Sequence, residues 1–104
     1  MAQFDVLLNK DARSRQAIPY VLDVQSDLLS VLATRLVIPL VEIDYFGRPA
    51  TRLNPVVSFD DRRLVLSTAE LAGIPLSALG KPVGSIASRR HEIPAAVDFL
   101  ITGV

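Results

Sequence analysis

The chain has 104 residues, with 11 basic and 11 acidic side chains, one histidine and no cysteine. That length holds one domain, 1–104, and an apolar half of the residues excludes a disordered chain. Balanced charge excludes a strongly basic nucleic-acid footprint. The missing cysteines exclude a disulfide scaffold or thiolate metal site, and the single His91 excludes a multi-histidine metal centre within one chain.

Met1 to Asp5 has no basic stretch, and Asp5 interrupts any apolar run, so no targeting segment is expected. The charge-free stretch Leu71 to Gly80 spans only about ten residues, far too short for a bilayer. A soluble, cytoplasmic protein with no membrane contact is expected.

Phe4, Val6 and Leu8 alternate with Gln3, Asp5 and Leu7, the pattern of a half-buried strand over about residues 3–8. Asn9 to Gln16 is polar and reads as a long hairpin tip. Tyr20 to Val24 is a second strand, with Pro19 at its start. Thr34 to Val41 is almost continuously apolar, as in a strand buried on both faces; Pro39 implies an edge position or a bulge there. Tyr45 to Pro49 is a turn. Pro55–Phe59 and Leu64–Ser67 flank Asp60-Asp61-Arg62-Arg63, a hairpin with a four-residue polar connection. Gly73-Ile74-Pro75 and Gly80-Lys81-Pro82 are breakers that cut residues 70–84 into short pieces.

At the C-terminus Ile93, Ala96, Val97, Leu100 and Ile101 fall on one helical face, and Ala95, Phe99 and Thr102 on a second, mildly apolar one. Pro94 belongs in the first turn, so the helix starts near Arg89 to His91. Hairpin-linked strands followed by one terminal helix give an α+β class, mostly β: a small barrel of antiparallel strands capped by a helix. A helix with two apolar faces in so small a chain points to a homodimer or a partner protein, against the alternative that it packs within its own domain. Leu100 and Ala96 are the candidates for the centre of a dimer patch.

Catalytic groups are sparse. His91 is the only histidine base, with Ser88 one turn before it, and the surrounding Arg89-Arg90-His91-Glu92 reads as a solvated helix start. Gly73 to Gly80-Lys81 fails as a phosphate loop on its spacing, and Pro82 stands where Ser or Thr would hold magnesium. Asp60-Asp61 reads as a charged turn before it reads as a metal pair. Arg62-Arg63, Arg89-Arg90 and the looser Lys10, Arg13 and Arg15 are either dispersed surface charge or contacts for RNA or an acidic peptide.

Several blocks carry a resemblance: Val21-Leu22-Asp23-Val24-Gln25-Ser26-Asp27-Leu28-Leu29, Arg35-Leu36-Val37-Ile38-Pro39-Leu40, Pro55-Val56-Val57, Ile74-Pro75, Pro82-Val83, and Ile93 to Val104. In this order and spacing they resemble the CcdB family of toxins from toxin–antitoxin modules, over nearly the whole chain. The resemblance implies an SH3-like barrel subunit in a homodimer, with no enzyme activity and no cofactor. It implies a toxin that binds the A subunit of DNA gyrase, traps the enzyme on cleaved DNA, and is neutralised by a CcdA-like antitoxin with an acidic disordered tail. It implies a gyrase contact at Asp98, Ile101, Thr102, Gly103 and Val104, with Leu28 and Leu29 beside it. Antitoxin contacts are expected in the loop carrying Lys10, Arg13 and Arg15, which is a few residues longer than usual, and at the edge near Arg48 and Arg52. The departure is Thr102, where the best-known members have a tryptophan able to stack on an arginine. Gly103 is expected to end the helix in the left-handed conformation. Two alternatives share the fold: a ribonuclease toxin of the MazF or Kid type, which neutral charge and one histidine disfavour, and an inactive decoy that only binds antitoxin.

Overall fold

A computed structural model describes residues 1–104. Seven strands are present: β1 (Asp5–Leu8), β2 (Tyr20–Asp23), β3 (Thr34–Glu42), β4 (Val56–Phe59), β5 (Arg62–Leu66), β6 (Ala72–Pro75) and β7 (Pro82–Ser85). Two helices accompany them, the short α1 (Ile43–Phe46) and the terminal α2 (Glu92–Thr102). All pairings are antiparallel, in the order β4-β5-β3-β2-β1-β7, with β6 added to β3. The curled sheet and terminal helix make the small-barrel α+β fold expected from the strand order.

β3 organises this sheet. Its nine residues pair with β2 along one flank and with both β6 and β5 along the other. The register sets Val6, Leu22, Ile38, Leu40, Leu64 and Leu66 on one face. These form the core with Phe4, Tyr20, Val57, Ile86 and Ile93. Burying six aliphatic chains of this kind at about 1.5–3 kcal/mol each is the main drive for the fold.

Pro39 is neither at an edge nor at a bulge. It lies mid-strand, where β6 pairing has ended at Val37 and β5 pairing has not begun before Leu40. Its carbonyl accepts from the Ser67 N–H on that flank at 3.0 Å. The missing donor faces the same gap, so no ladder bond is lost.

β1 is shorter and more buried than alternation suggested. Phe4 has φ 70°, which turns the chain before the strand can begin. Leu7 is as fully buried as Val6, so β1, held between β2 and β7, is covered on both faces. The β4–β5 connection has two residues, not four. Asp60 and Asp61 both have positive φ, 53° and 58°, the primed-turn geometry that suits twisted strands. Arg62 and Arg63 therefore belong to β5. The expected breakers lie within β6 and at the start of β7: Pro75 ends one strand and Pro82 begins the other. Gly80 and Gly84 mark close approaches. A Cβ on Gly80 would stand 2.2 Å from the Leu8 carbonyl oxygen, and one on Gly84 would stand 2.5 Å from the Phe59 ring.

Residues 43–46, partly expected as turn, form α1, which ends at Gly47 with φ 89°. A tight turn over Ala87–Arg89 precedes α2, so the helix starts at Glu92, just after the expected point; Pro94 sits in its first turn. Gly103 has φ 73° and ψ 14°, the left-handed exit expected of it.

Candidate functional site

The segment ahead of β1, the root of the β2–β3 loop, β3 and the first two turns of α2 flank one cleft. Gln3, Phe4, Val24 and Leu36 line one side of it and Ile93, Pro94, Val97 and Asp98 the other, around about 170 Å3. The Gln3 side chain donates to the Val24 carbonyl at 3.2 Å, and its N–H donates to Asp27 Oδ1 at 2.9 Å. Gln3 thus ties the N-terminal segment to the root of the β2–β3 loop.

Buried polar groups shape the loop. Asp23 and Arg35 form a buried ion pair at 2.8 Å. The other Asp23 oxygen accepts from the Gln25 N–H at 3.0 Å. The Gln25 amide accepts from Leu36 N at 3.0 Å and donates to the Leu29 carbonyl at 2.9 Å. Burial pushes the Asp23 carboxyl above its ordinary range, and the hydrogen bond from Arg35 opposes that push. Ser26 caps the turn at Asp27–Leu29 by accepting from the Leu28 N–H at 3.2 Å. The result is an ordered loop whose apolar side chains point outward. Leu28 is 91% exposed, Val31 is 90% exposed, and Leu29 and Leu32 stand about half in solvent. Leu28 and Leu29 were expected at a binding surface; Val31 and Leu32 were not. An apolar run without a clear period reads by default as core, so their exposure is visible only in three dimensions.

The chain end is equally open. Asp98 and Thr102 to Val104 are exposed, and Ile101 is 75% exposed. Inward-facing Ile93 and Ala96 are buried. Ala96 has no exposure within the single subunit, so it offers no surface at the centre of a dimer patch. Leu100 is half-buried and keeps part of its surface in solvent. The second helical face, expected to need a partner, is partly closed by this chain itself: Arg52 lies over Phe99.

The basic residues do not form one group. Lys10 donates to the Ser77 carbonyl at 3.1 Å, and Arg15 donates to the carbonyls of Asn9 and Lys10 at 2.8 and 3.1 Å. Arg13 pairs with Asp11 at 3.4 Å on the surface, and the Arg13 backbone N–H holds the Asp11 carboxyl below its ordinary range. Arg48 is exposed, and Arg52 belongs to the α2 surface. The structure instead brings Arg15 to Tyr20, Glu42, Tyr45 and Arg62 around a cleft of about 600 Å3. Arg62 pairs there with Glu42 at 3.4 Å. Tyr20 donates to Asp60 at 3.1 Å, and burial pushes its hydroxyl pKa up. Tyr20 and Tyr45 were not singled out, and Arg62 only as one of the dispersed basic residues, because their grouping depends on sheet register.

His91 is exposed at the start of α2 and shares no hydrogen bond with Ser88. No group of three His, Asp or Glu side chains is placed to hold a metal ion, and Asp60 and Asp61 form the β4–β5 turn. No helix is long and apolar enough to cross a membrane.

On this small β-barrel the exposed apolar loop and the open helix end are features of the kind that mark interaction surfaces. The family model described as CcdB protein matches residues 3–103, and the chain belongs to that family, the toxins of ccd toxin–antitoxin modules.

Proposed function

We propose that residues 1–104 form one toxin domain that binds the A subunit of DNA gyrase and traps the enzyme on cleaved DNA. It acts by binding and not by catalysis. Family membership makes gyrase the target to test; the outward apolar residues at the chain end carry the reading of the site. Ile101 and Val104 stand in solvent close to Asp98 and the Gly103 turn, and Leu28 and Leu29 are exposed on the β2–β3 loop. Exposed apolar groups of this kind gain about 25 cal/mol per Å2 when covered.

In this reading the protein works in the cytoplasm as a homodimer using Leu100, and a CcdA-like antitoxin covers it through acidic residues. The antitoxin meets the loop of Lys10, Arg13 and Arg15 and the edge near Arg48 and Arg52. Its affinity falls as salt rises, because exposed charges are screened over about 10 Å at 0.1 M. Salt-independent affinity would assign the antitoxin to a purely apolar groove.

The deciding experiment is induced expression and an in vitro cleavage-trapping assay with a chain ending at Ile101. The fold is expected to persist, since residues 101–104 are exposed. Toxicity and trapping are expected to vanish while antitoxin binding survives. Trapping by the shortened chain would remove the site from the chain end.

A further inference from the structure

We infer that Thr102 is a positioning residue, whose hydroxyl clasps the last residue of the chain in the conformation that meets the target. The inference rests on the reading of Thr102–Val104 as the gyrase-binding element.

A helix end leaves its last carbonyls without partners, and a free chain end frays. Here three hydrogen bonds order the exit from the helix, and the first of them gives one of those carbonyls a donor. The Gly103 N–H donates to the Phe99 carbonyl at 2.9 Å, which closes the left-handed turn. Thr102 Oγ1 donates to the Asp98 carbonyl at 2.7 Å. The same oxygen accepts from the Val104 N–H across 3.4 Å. A hydroxyl has one proton to give and two lone pairs, so both bonds coexist.

The geometry suits threonine. A helical threonine splits between two χ1 rotamers because its hydroxyl can reach a carbonyl one turn back. The bond to Asp98 selects one of these, and that rotamer aims the oxygen at Val104. No other hydrogen bond restrains Val104, whose side chain is 79% exposed. Removing the hydroxyl frees the terminal residue and leaves the core intact. An indole at this position would offer a stacking surface but no such acceptor. This chain therefore presents its tail by preorganisation.

Thr102→Val keeps the shape and deletes the hydroxyl; Thr102→Ser restores it. Binding to purified gyrase A subunit is measured by calorimetry for both, for the unaltered chain and for the chain ending at Ile101. Thr102→Val should weaken binding about two- to tenfold, the ordering cost of one freed residue. Thr102→Ser should bind within about twofold of the unaltered chain, and all melting temperatures should agree. Exchange of the Val104 amide, read without gyrase, should quicken in Thr102→Val and not in Thr102→Ser. If the shortened chain loses binding while Thr102→Val binds like the unaltered protein, the clasp is overturned and the site stands. Equal Val104 exchange in all three full-length chains overturns it as well. If the shortened chain binds undiminished, both the site and the clasp fail.

Discussion

The Arg52 guanidinium lies 4.5 Å from the centroid of the Phe99 ring and covers the α2 face that the sequence leaves looking unpartnered. Arg52 belongs to the long segment between α1 and β4, so this contact ties that segment to the helix. Arg52→Ala should bare the ring and cost about 0.5–1 kcal/mol, the range for an exposed cation–π pair. In a chain this size that lowers the melting temperature by a few degrees, roughly 4–8 °C per kcal/mol. Arg52→Lys should recover only part, since the flat guanidinium stacks and the ammonium does not. Thermal unfolding of the three proteins checks this.

The Asp23–Arg35 pair is the most vulnerable point of the fold. Both side chains are out of solvent, and their partner Gln25, which accepts from the Leu36 N–H, roots the β2–β3 loop. Asp23→Ala leaves the buried guanidinium with only the longer contact to the exposed Asp27 carboxylate, 3.9 Å away. The expected loss is about 3–5 kcal/mol by urea unfolding. Replacing both residues with leucine and methionine should be much milder, because no buried charge is then stranded. Either change should loosen the loop that presents Leu28 and Leu29 and weaken target binding beyond its effect on stability.

The same pair shows what a sequence reading reaches and where it stops. β3 is legible because Leu36 to Val41 is apolar on both faces, and only a doubly covered strand needs that. α2 is legible through the spacing of Ile93, Ala96, Val97 and Leu100. Arg35 and Asp23 are 12 positions apart. Nothing local says that they will be buried together, because a charge is stable inside only when its partner arrives by strand pairing. The two-residue turn at Asp60-Asp61 is hidden for a related reason. Aspartate in the left-handed region is a conformation and not a pattern, and Arg62-Arg63 beside it looks like more loop. The chain end is readable as a candidate site through its resemblance to a family; the hydroxyl that orders it is not, because its partners are backbone atoms.

The Asp60-Asp61 turn is expected to be improvable. Asp60 holds Tyr20 through its carboxylate, so it should be kept. Asp61 has φ 58° and no such partner. A left-handed residue other than glycine costs roughly 1–2 kcal/mol, part of which glycine returns as unfolded-state entropy. Asp61→Gly should therefore raise stability by about 0.5–1 kcal/mol. An unchanged or lower melting temperature would mean that the Asp61 side chain stabilises the turn in another way.

Acid should weaken the attachment of α2 through Glu92. Arg89 Nη2 donates to Glu92 Oε2 at 2.7 Å and to the Val56 carbonyl at 3.1 Å, joining the first turn of the helix to β4. The Arg89 side chain holds the Glu92 carboxyl below its ordinary value of 4.5 and is itself raised by the pairing. With a depressed folded pKa, the unfolded chain binds the proton first as pH falls. The stabilisation is complete above about pH 4.5 and is lost as pH falls through the folded value. Asp23 acts in the opposite sense. Its folded pKa is raised above 3.8, so its contribution is complete below that value and is lost as pH rises through the folded pKa. Comparing the unaltered chain with Glu92→Gln cancels the Asp23 contribution. The variant should lose stability less steeply below about pH 4.5 and be the less stable protein at neutral pH. Parallel curves through that window would show that the Arg89–Glu92 pair contributes nothing to folding.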